Sequence, residues 1–158
     1  MKTSTWNWQI GHKLSTPELY YILQLRMDVF VVEQECAYQD VDGCDLNCWH
    51  LTLSSSNTPH KIMAYLRVFP PKEKTVIIGR VIVASDFRKQ GLGRTLMQEA
   101  HLRCHSFDFK TFQLSAQHHL QSFYEHLGYQ AVGTPYDEDG IPHIKMVASK
   151  ESASYPSN

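Results

Sequence analysis

The sequence predicts a mixed α/β (α+β) fold, a six- to seven-stranded and mostly antiparallel sheet with helices on both faces. Three observations predict it. Strand-patterned and helix-patterned segments follow one another in the order β-α-(loop)-β-β-β-α-β-α-β-β. One run, residues 75–84, is apolar at successive positions instead of alternating, which marks a strand buried on both faces and therefore central. That run leads through Arg88-Lys89-Gln90-Gly91-Leu92-Gly93-Arg94 straight into a helix-patterned segment.

Each element follows from its residues. In 6–13, Trp6, Trp8 and Ile10 fall on one face of a first strand. Ser15-Thr16-Pro17-Glu18 then starts a helix, with Ser15 as cap, Pro17 in the first turn and Glu18 completing a capping box. Its stripe runs through Leu19, Ile22, Leu23, Arg26 and Met27 to about Phe30. Residues 33–49 are acidic and turn-prone around Asp42-Gly43. Residues 50–54 and 61–69 form a hairpin about the turn 55–59, and Pro70-Pro71 ends it. After the central strand, Leu92, Leu96, Met97, Ala100, Cys104 and Phe107 make a helical stripe, with Gln98, His101 and His105 off it. Phe112, Leu114 and Ala116 mark a strand over 111–117. A short helix carries Leu120, Phe123, Tyr124 and Leu127 and stops at Gly128. Residues 129–132 and 144–147 close the sheet as an antiparallel pair around a loop at 137–143. One domain is expected over 1–150, followed by a disordered Ser-rich tail at 151–158.

Composition narrows the function classes. The chain has 158 residues, a net charge of −1, 42% hydrophobic and 20% charged residues, so no global basic field points to nucleic acid. No apolar run approaches the roughly 20 residues that cross a bilayer, and the N-terminal residues hold no apolar signal core. Cys36, Cys44, Cys48 and Cys104 are therefore expected as reduced thiols in a cytoplasmic protein. Asp40-Val41-Asp42-Gly43-Cys44-Asp45 has its glycine two places early for a calcium loop and lacks the distal Glu. Cys36, Cys44, Cys48 and His50 lack a second paired zinc motif. No metal is expected.

The glycine-containing turn is the segment richest in chemistry. A strand, a glycine turn and a helix start aim backbone N–H groups and a positive helix end at one point, which suits phosphate. Gly93 is followed by Arg94-Thr95, not the Lys-Ser/Thr of a Walker loop, and Leu96 stands where a dinucleotide fingerprint wants a small residue. Arg88-Lys89-Gln90-Gly91-Leu92-Gly93 does fit Arg/Gln-x-x-Gly-x-Gly/Ala. This resembles the pyrophosphate loop of the GNAT superfamily of N-acetyltransferases, whose element order is also the one read above.

The resemblance implies acetyl-CoA as cosubstrate, its charged end on Arg88, Lys89, Gln90, Gly91, Leu92, Gly93 and Arg94. It also implies that the strand edge Val81, Ile82 and Val83 holds the pantetheine arm where two strands splay apart. Tyr124-x-x-x-Gly128-Tyr129 matches the superfamily element whose tyrosine protonates the departing thiolate, so Tyr124 is the expected general acid. Gln117 stands where many relatives carry Asn. The base is open between Glu33, the acidic loop (Asp40, Asp42, Asp45), the His143 loop and a water relay, with Glu33 favoured.

A narrower likeness runs through most of the chain. Leu25-Arg26-Met27-Asp28-Val29-Phe30-Val31-Val32-Glu33-Gln34, Tyr38-x-Asp40-x-Asp42-Gly43-x-Asp45 and Tyr136-x-Glu138-Asp139-Gly140-Ile141-Pro142-His143 are similar to ElaA-like N-acetyltransferases. That likeness singles out Arg26, Asp42, Asp45, His50, Arg80, Glu138 and His143 for the acceptor pocket. The expected reaction is acetyl transfer to a small-molecule or peptide amine by direct attack, in a monomer or homodimer without nucleic-acid or membrane partners. The alternative is a non-catalytic acyl-CoA-binding or sensing module.

Overall fold

The computed structural model describes residues 4–157. The ends of the expected domain and of the expected tail, residues 1–3 and 158, lie outside the described residues. Seven strands form one sheet in the order β1-β2-β3-β4-β5-β7-β6. They are β1 Ser4–Ile10, β2 Trp49–Ser55, β3 Thr58–Val68, β4 Thr75–Val83, β5 Thr111–Gln117, β6 Gln130–Glu138 and β7 Ile141–Ser149. Among the described residues only the β4–β5 pairing is parallel. The mixed, mostly antiparallel fold read from the sequence is the one observed.

Three helices cover the sheet: α1 Thr16–Arg26, α2 Leu92–Arg103 and α3 Gln121–Glu125. The sheet's two faces are packed differently. Ala64, Leu66, Val68, Val76, Ile78, Phe112, Leu114, Ile144 and Met146 meet Leu96, Met97 and Ala100 of α2 and Tyr124 of α3 in the main core. On the other face Tyr65 and Ile82 pack with Ile22 of α1 and Val29. Each fully buried aliphatic side chain of this kind contributes about 1.5–3 kcal/mol by leaving water.

Two irregularities in the backbone shape the centre. Gly79 lies opposite Arg67 and Ile82 opposite Tyr65, so β4 spends three steps where β3 spends two. This is a β-bulge, and Arg80 sits in it with φ of +54°. The extra residue inverts the alternation of β4: Val76 and Ile78 join the α2-side core, while Ile82 joins the α1-side cluster. The second irregularity is the pairing with β5, which runs only from Thr75↔Thr111 to Ile77↔Gln113. Beyond Ile77 the two strands part. β4 is central as expected, yet Ile77 is 39% exposed because it borders the opening between the strands.

Elsewhere the structure corrects local expectations. The first helix does not run regularly to Phe30; it ends at Arg26 and continues as a π-helix, Met27–Glu33. The wider turn is closed by bonds such as Gln34 N–H to Val29 O at 3.2 Å, a rare conformation that favours functional sites. The expected loop 137–143 is instead a tight hairpin, with Asp139 and Gly140 both at positive φ (+52° and +82°) between β6 and β7.

The Ser-rich tail, expected to be disordered, docks as far as Tyr155. Ser154 N–H donates to Leu127 O at 2.9 Å, and Gln98 Nε2 donates to Ser154 Oγ at 2.8 Å. Gly128, at φ of +94°, lets Ser152 O approach to 1.9 Å of where a Cβ would stand, so only glycine admits the tail there. His101, placed off the apolar stripe by its polarity, is fully buried beneath that tail.

Candidate active site

A cleft of about 770 Å³ opens where β4 and β5 separate. One wall is the α2 start and the preceding turn. Gly91 is the N-cap of α2 at φ of +77°, and no side chain caps the helix. Its first intrahelical bond is Thr95 N–H to Gly91 O at 3.2 Å, which leaves the N–H groups of Leu92, Gly93 and Arg94 without a backbone partner among the described residues. A Cβ on Gly91 would meet no atom within 4 Å, so the space outside the turn is open. Arg88, Lys89, Gly91, Leu92, Gly93 and Arg94 line the cleft. Gln90 is not among its lining residues. These free donors, a positive helix end and neighbouring cations fit a pyrophosphate.

The second wall is the unpaired half of β4. Val81, Ile82 and Val83 line the cleft, as the sequence expects. Their backbone has no β5 neighbour to pair with, because that pairing ends at Ile77. Arg88 is more occupied than a phosphate ligand need be. Its Nε donates to Val83 O at 2.9 Å, and its Nη1 and Nη2 clasp both oxygens of Glu33 at 2.7 and 3.1 Å. Glu33 thus lines the cleft but spends its carboxylate on Arg88, which ties the π-helix to the turn before α2.

Tyr124 closes the inner end. Its ring belongs to the main core and the residue is 5% exposed, yet it lines the cleft. Burial pushes the hydroxyl well above the usual tyrosine range, so it carries its proton at neutral pH. Gln117 is also at the cleft, donating through Nε2 to Gln34 Oε1 at 3.2 Å.

The residues expected to line an acceptor pocket divide into two groups. Arg80, Glu138 and His143 do line the cleft. Arg26, Asp42, Asp45 and His50 do not: they are taken up by internal bonding. Arg26 is fully buried and donates to Asp40 Oδ2 at 2.8 Å, Asp45 Oδ1 at 2.5 Å and Asp40 O at 2.8 Å. Arg67, which the sequence reading missed, bonds both oxygens of Asp42 and Asp45 Oδ1. Arg80 Nε joins at Asp40 Oδ1, 2.8 Å away. The result is a network of three arginines and three aspartates that clamps the acidic loop 34–48 to β3 and β4.

The protonation states agree with that bonding. The bonds from Arg67 hold Asp42 far below the usual carboxylate range. Burial would raise Asp45, but its bonds to Arg26 and Arg67 outweigh burial and lower it. His50 uses both ring nitrogens: Nε2 donates to Asp45 O and Nδ1 accepts from Tyr65 Oη, each at 2.8 Å. Burial lowers its pKa and keeps it neutral.

The cysteines are all free. Burial pushes Cys48 up to about 11 and Cys104 up to about 12, away from nucleophilic use. Among the described residues no group of three His, Cys, Asp or Glu side chains is arranged to hold a metal ion, and no helix is long and apolar enough to cross a membrane.

Residues 37–150 match the family model described as an acetyltransferase (GNAT) domain. The chain belongs to the GNAT acetyltransferases. Among curated relatives of this GNAT chain, it is 47% identical to a UPF0039 protein of Schizosaccharomyces pombe over 85% of its own length and 90% of the relative's. It is 42% identical to Protein ElaA of Escherichia coli, over 88% and 94% of the two chains. The crystal structure of Escherichia coli ElaA superposes with a TM-score of 0.85 at 39% identity, covering 92% of this chain and 99% of that one. An acyl-CoA N-acyltransferase structure from Pseudomonas aeruginosa superposes at 0.83 with 43% identity, over 91% and 99%. The GNAT family fits the opening between β4 and β5, and its acyl-CoA transfer chemistry fits the open start of α2.

Proposed function

We propose that this GNAT protein transfers the acetyl group of acetyl-CoA to the amine of a small molecule or peptide by direct attack, with Tyr124 as general acid. One observation carries the reading: the uncapped start of α2, the unpaired edge of β4 and Tyr124 line a single cleft. The pyrophosphate takes the N–H groups of Gly91, Leu92, Gly93 and Arg94, with Lys89 and Arg94 adding charge. The amides of the pantetheine arm pair with Val81, Ile82 and Val83 as an added strand would. Arg88 braces this edge through Val83 O and Glu33 more than it contacts phosphate. Gln117 reaches the arm once it leaves Gln34.

The amine nitrogen forms a bond to the thioester carbonyl carbon, the C–S bond breaks, and the sulfur takes the Tyr124 proton. A phenol held above its usual range is a weak donor toward water. The developing thiolate is the acceptor this proton meets as the C–S bond breaks.

The test is release of coenzyme A from acetyl-CoA against a panel of amines. Tyr124→Phe is expected to lower kcat by about 10²–10⁴ while acetyl-CoA binding persists. Turnover within a factor of a few of wild type contradicts the acid role. Tight acetyl-CoA binding with no acceptor turned over marks a binding module instead.

A further inference from the structure

The mechanism above leaves the amine's proton without a destination, and the groups that face the cleft narrow the choice. Glu33 has both oxygens on Arg88. Asp40, Asp42 and Asp45 are locked in the arginine network. Besides His119 and Asp139, what faces the cleft is a hydrogen-bonded cluster built by the β6–β7 hairpin against β5.

His143 Nδ1 lies 2.7 Å from Ile141 O. A carbonyl only accepts, so Nδ1 carries the proton and the neutral ring presents a bare lone pair at Nε2. That nitrogen stands 3.6 Å from Glu138 Oε2, too far for a hydrogen bond in the neutral state and close enough to stabilise an imidazolium. Glu138 Oε2 is itself fixed, accepting from Ser115 Oγ at 2.9 Å, and Ser115 Oγ in turn bonds Tyr136 Oη. Tyr136 also stacks on the His143 ring, with centroids 6.3 Å apart. His143 is 13% exposed and lines the cleft with Glu138, Ser115 and Gln117.

We propose that His143 is the base that takes the acceptor's proton, with Glu138 as a positioning residue that holds the ring and stabilises its cation. The proposal rests on the acetyl-transfer reading given above. Strand alternation supports it from a second direction. Ile144, Met146 and Ala148 of β7 face the α2-side core, which also holds Tyr124, so His143 faces the opposite side of the sheet. Acid and base therefore approach the opening from its two sides, one for the leaving sulfur and one for the entering nitrogen.

The protons balance. The acceptor ammonium loses one proton to solvent, and its lone pair forms the C–N bond. A second N–H proton passes to His143 Nε2 as the C–S bond breaks, and the sulfur takes the proton of Tyr124. The imidazolium returns its proton to water and the tyrosinate regains one, so each turnover releases one proton and one coenzyme A thiol. The titratable groups around His143 are Tyr136 and Glu138 on β6, Asp139 at the hairpin tip, His118 and His119 in the turn after β5, and Lys145 on its own strand. β5 contributes Ser115 and Gln117, which do not titrate near neutrality.

The experiment follows coenzyme A release against pH, using acetyl-CoA and a panel of primary amines that includes an aromatic amine uncharged above about pH 6. His143→Gln is expected to lower kcat/KM on the order of 10²-fold and to erase the loss of rate on the acid side. Glu138→Gln is expected to lower it about tenfold and displace that acid limb, with Glu138→Asp recovering part. Acetyl-CoA affinity and circular dichroism stay at wild-type values in all three, and Glu33→Gln keeps the acid limb. Nitrogen NMR of the histidine rings should find His143 protonated at Nδ1 when neutral. An unchanged acid limb in His143→Gln, or a ring protonated at Nε2, overturns the base while Tyr124→Phe still reports on acetyl transfer. A wild-type protein that neither binds acetyl-CoA nor releases the thiol with any amine overturns both.

Discussion

At the start of α1, Ser15 Oγ accepts from Glu18 N–H at 3.4 Å and Glu18 Oε2 accepts from Ser15 N–H at 2.8 Å. At the start of α2, Gly91 stands in the left-handed region and no side chain caps the first turn. Alanine in place of a capping side chain costs about 0.5–2 kcal/mol and glycine only about a few tenths, so α2 starts without a side-chain cap at little cost. Its other end is closed with care: His101 Nδ1 donates to Ser154 O at 2.6 Å and Nε2 accepts from Tyr129 Oη at 2.8 Å. A helix fixed at one end and left with bare donors at the other is a fixed support for something that arrives from outside. In α1 the start is closed by the chain itself; in α2 it is left open toward the cleft.

The contrast can be broken first at the closed end of α2, where the largest effect is expected. Burial lowers the His101 pKa to about 4, against an ordinary value of about 6.5. Below 6.5 the unfolded chain takes up a proton that the folded chain refuses. Stability is therefore full above about pH 6.5 and falls as pH drops toward 4, by up to about 3 kcal/mol. His50, also lowered by burial, adds in the same direction. Urea unfolding followed between pH 7 and 4 should show this loss, and His101→Gln should flatten much of it.

A smaller effect sharpens the other side. Ser15→Ala removes the α1 cap and is expected to cost about 1 kcal/mol of stability in the same denaturation assay. Acetyl-CoA affinity, measured by calorimetry, should not change, because nothing at that helix start faces the cleft.

How much of this was legible in the sequence depends on the range of the interactions. The capping box, the glycine turn and β5 are local patterns, and Ser15, Gly91 and Thr111–Gln117 stand where their own residues put them. Fold class followed because element order survives errors of a few residues at each boundary. The bulge at Arg80 left no trace, since it is a mismatch in register between β3 and β4 and neither strand alone contains it. The π-helix was hidden for a related reason: Phe30 and Glu33 reach the cleft through a turn wider than the 3.6-residue period used to read it.

Charged residues were the hardest to place. Arg26 and Arg80 look alike in sequence, yet one is sealed in a network and the other borders the cleft. Both bond Asp40, and the difference is depth: Arg26 is fully buried, while Arg80 reaches the same carboxylate from the bulge of β4 at the cleft. Glu138 and His143 were singled out, but the loop expected between them hid that a two-residue turn brings their side chains to 3.6 Å of each other.

The central claim is that the start of α2 is open because coenzyme A closes it. Titrating coenzyme A into 15N-labelled protein and following backbone amides tests that most directly. The account predicts large shifts at Gly91, Leu92, Gly93 and Arg94, none at Glu18 or Leu19, and loss of the response in Gly91→Val. Shifts that spare the 91–94 amides, or that persist unchanged in Gly91→Val, would contradict it.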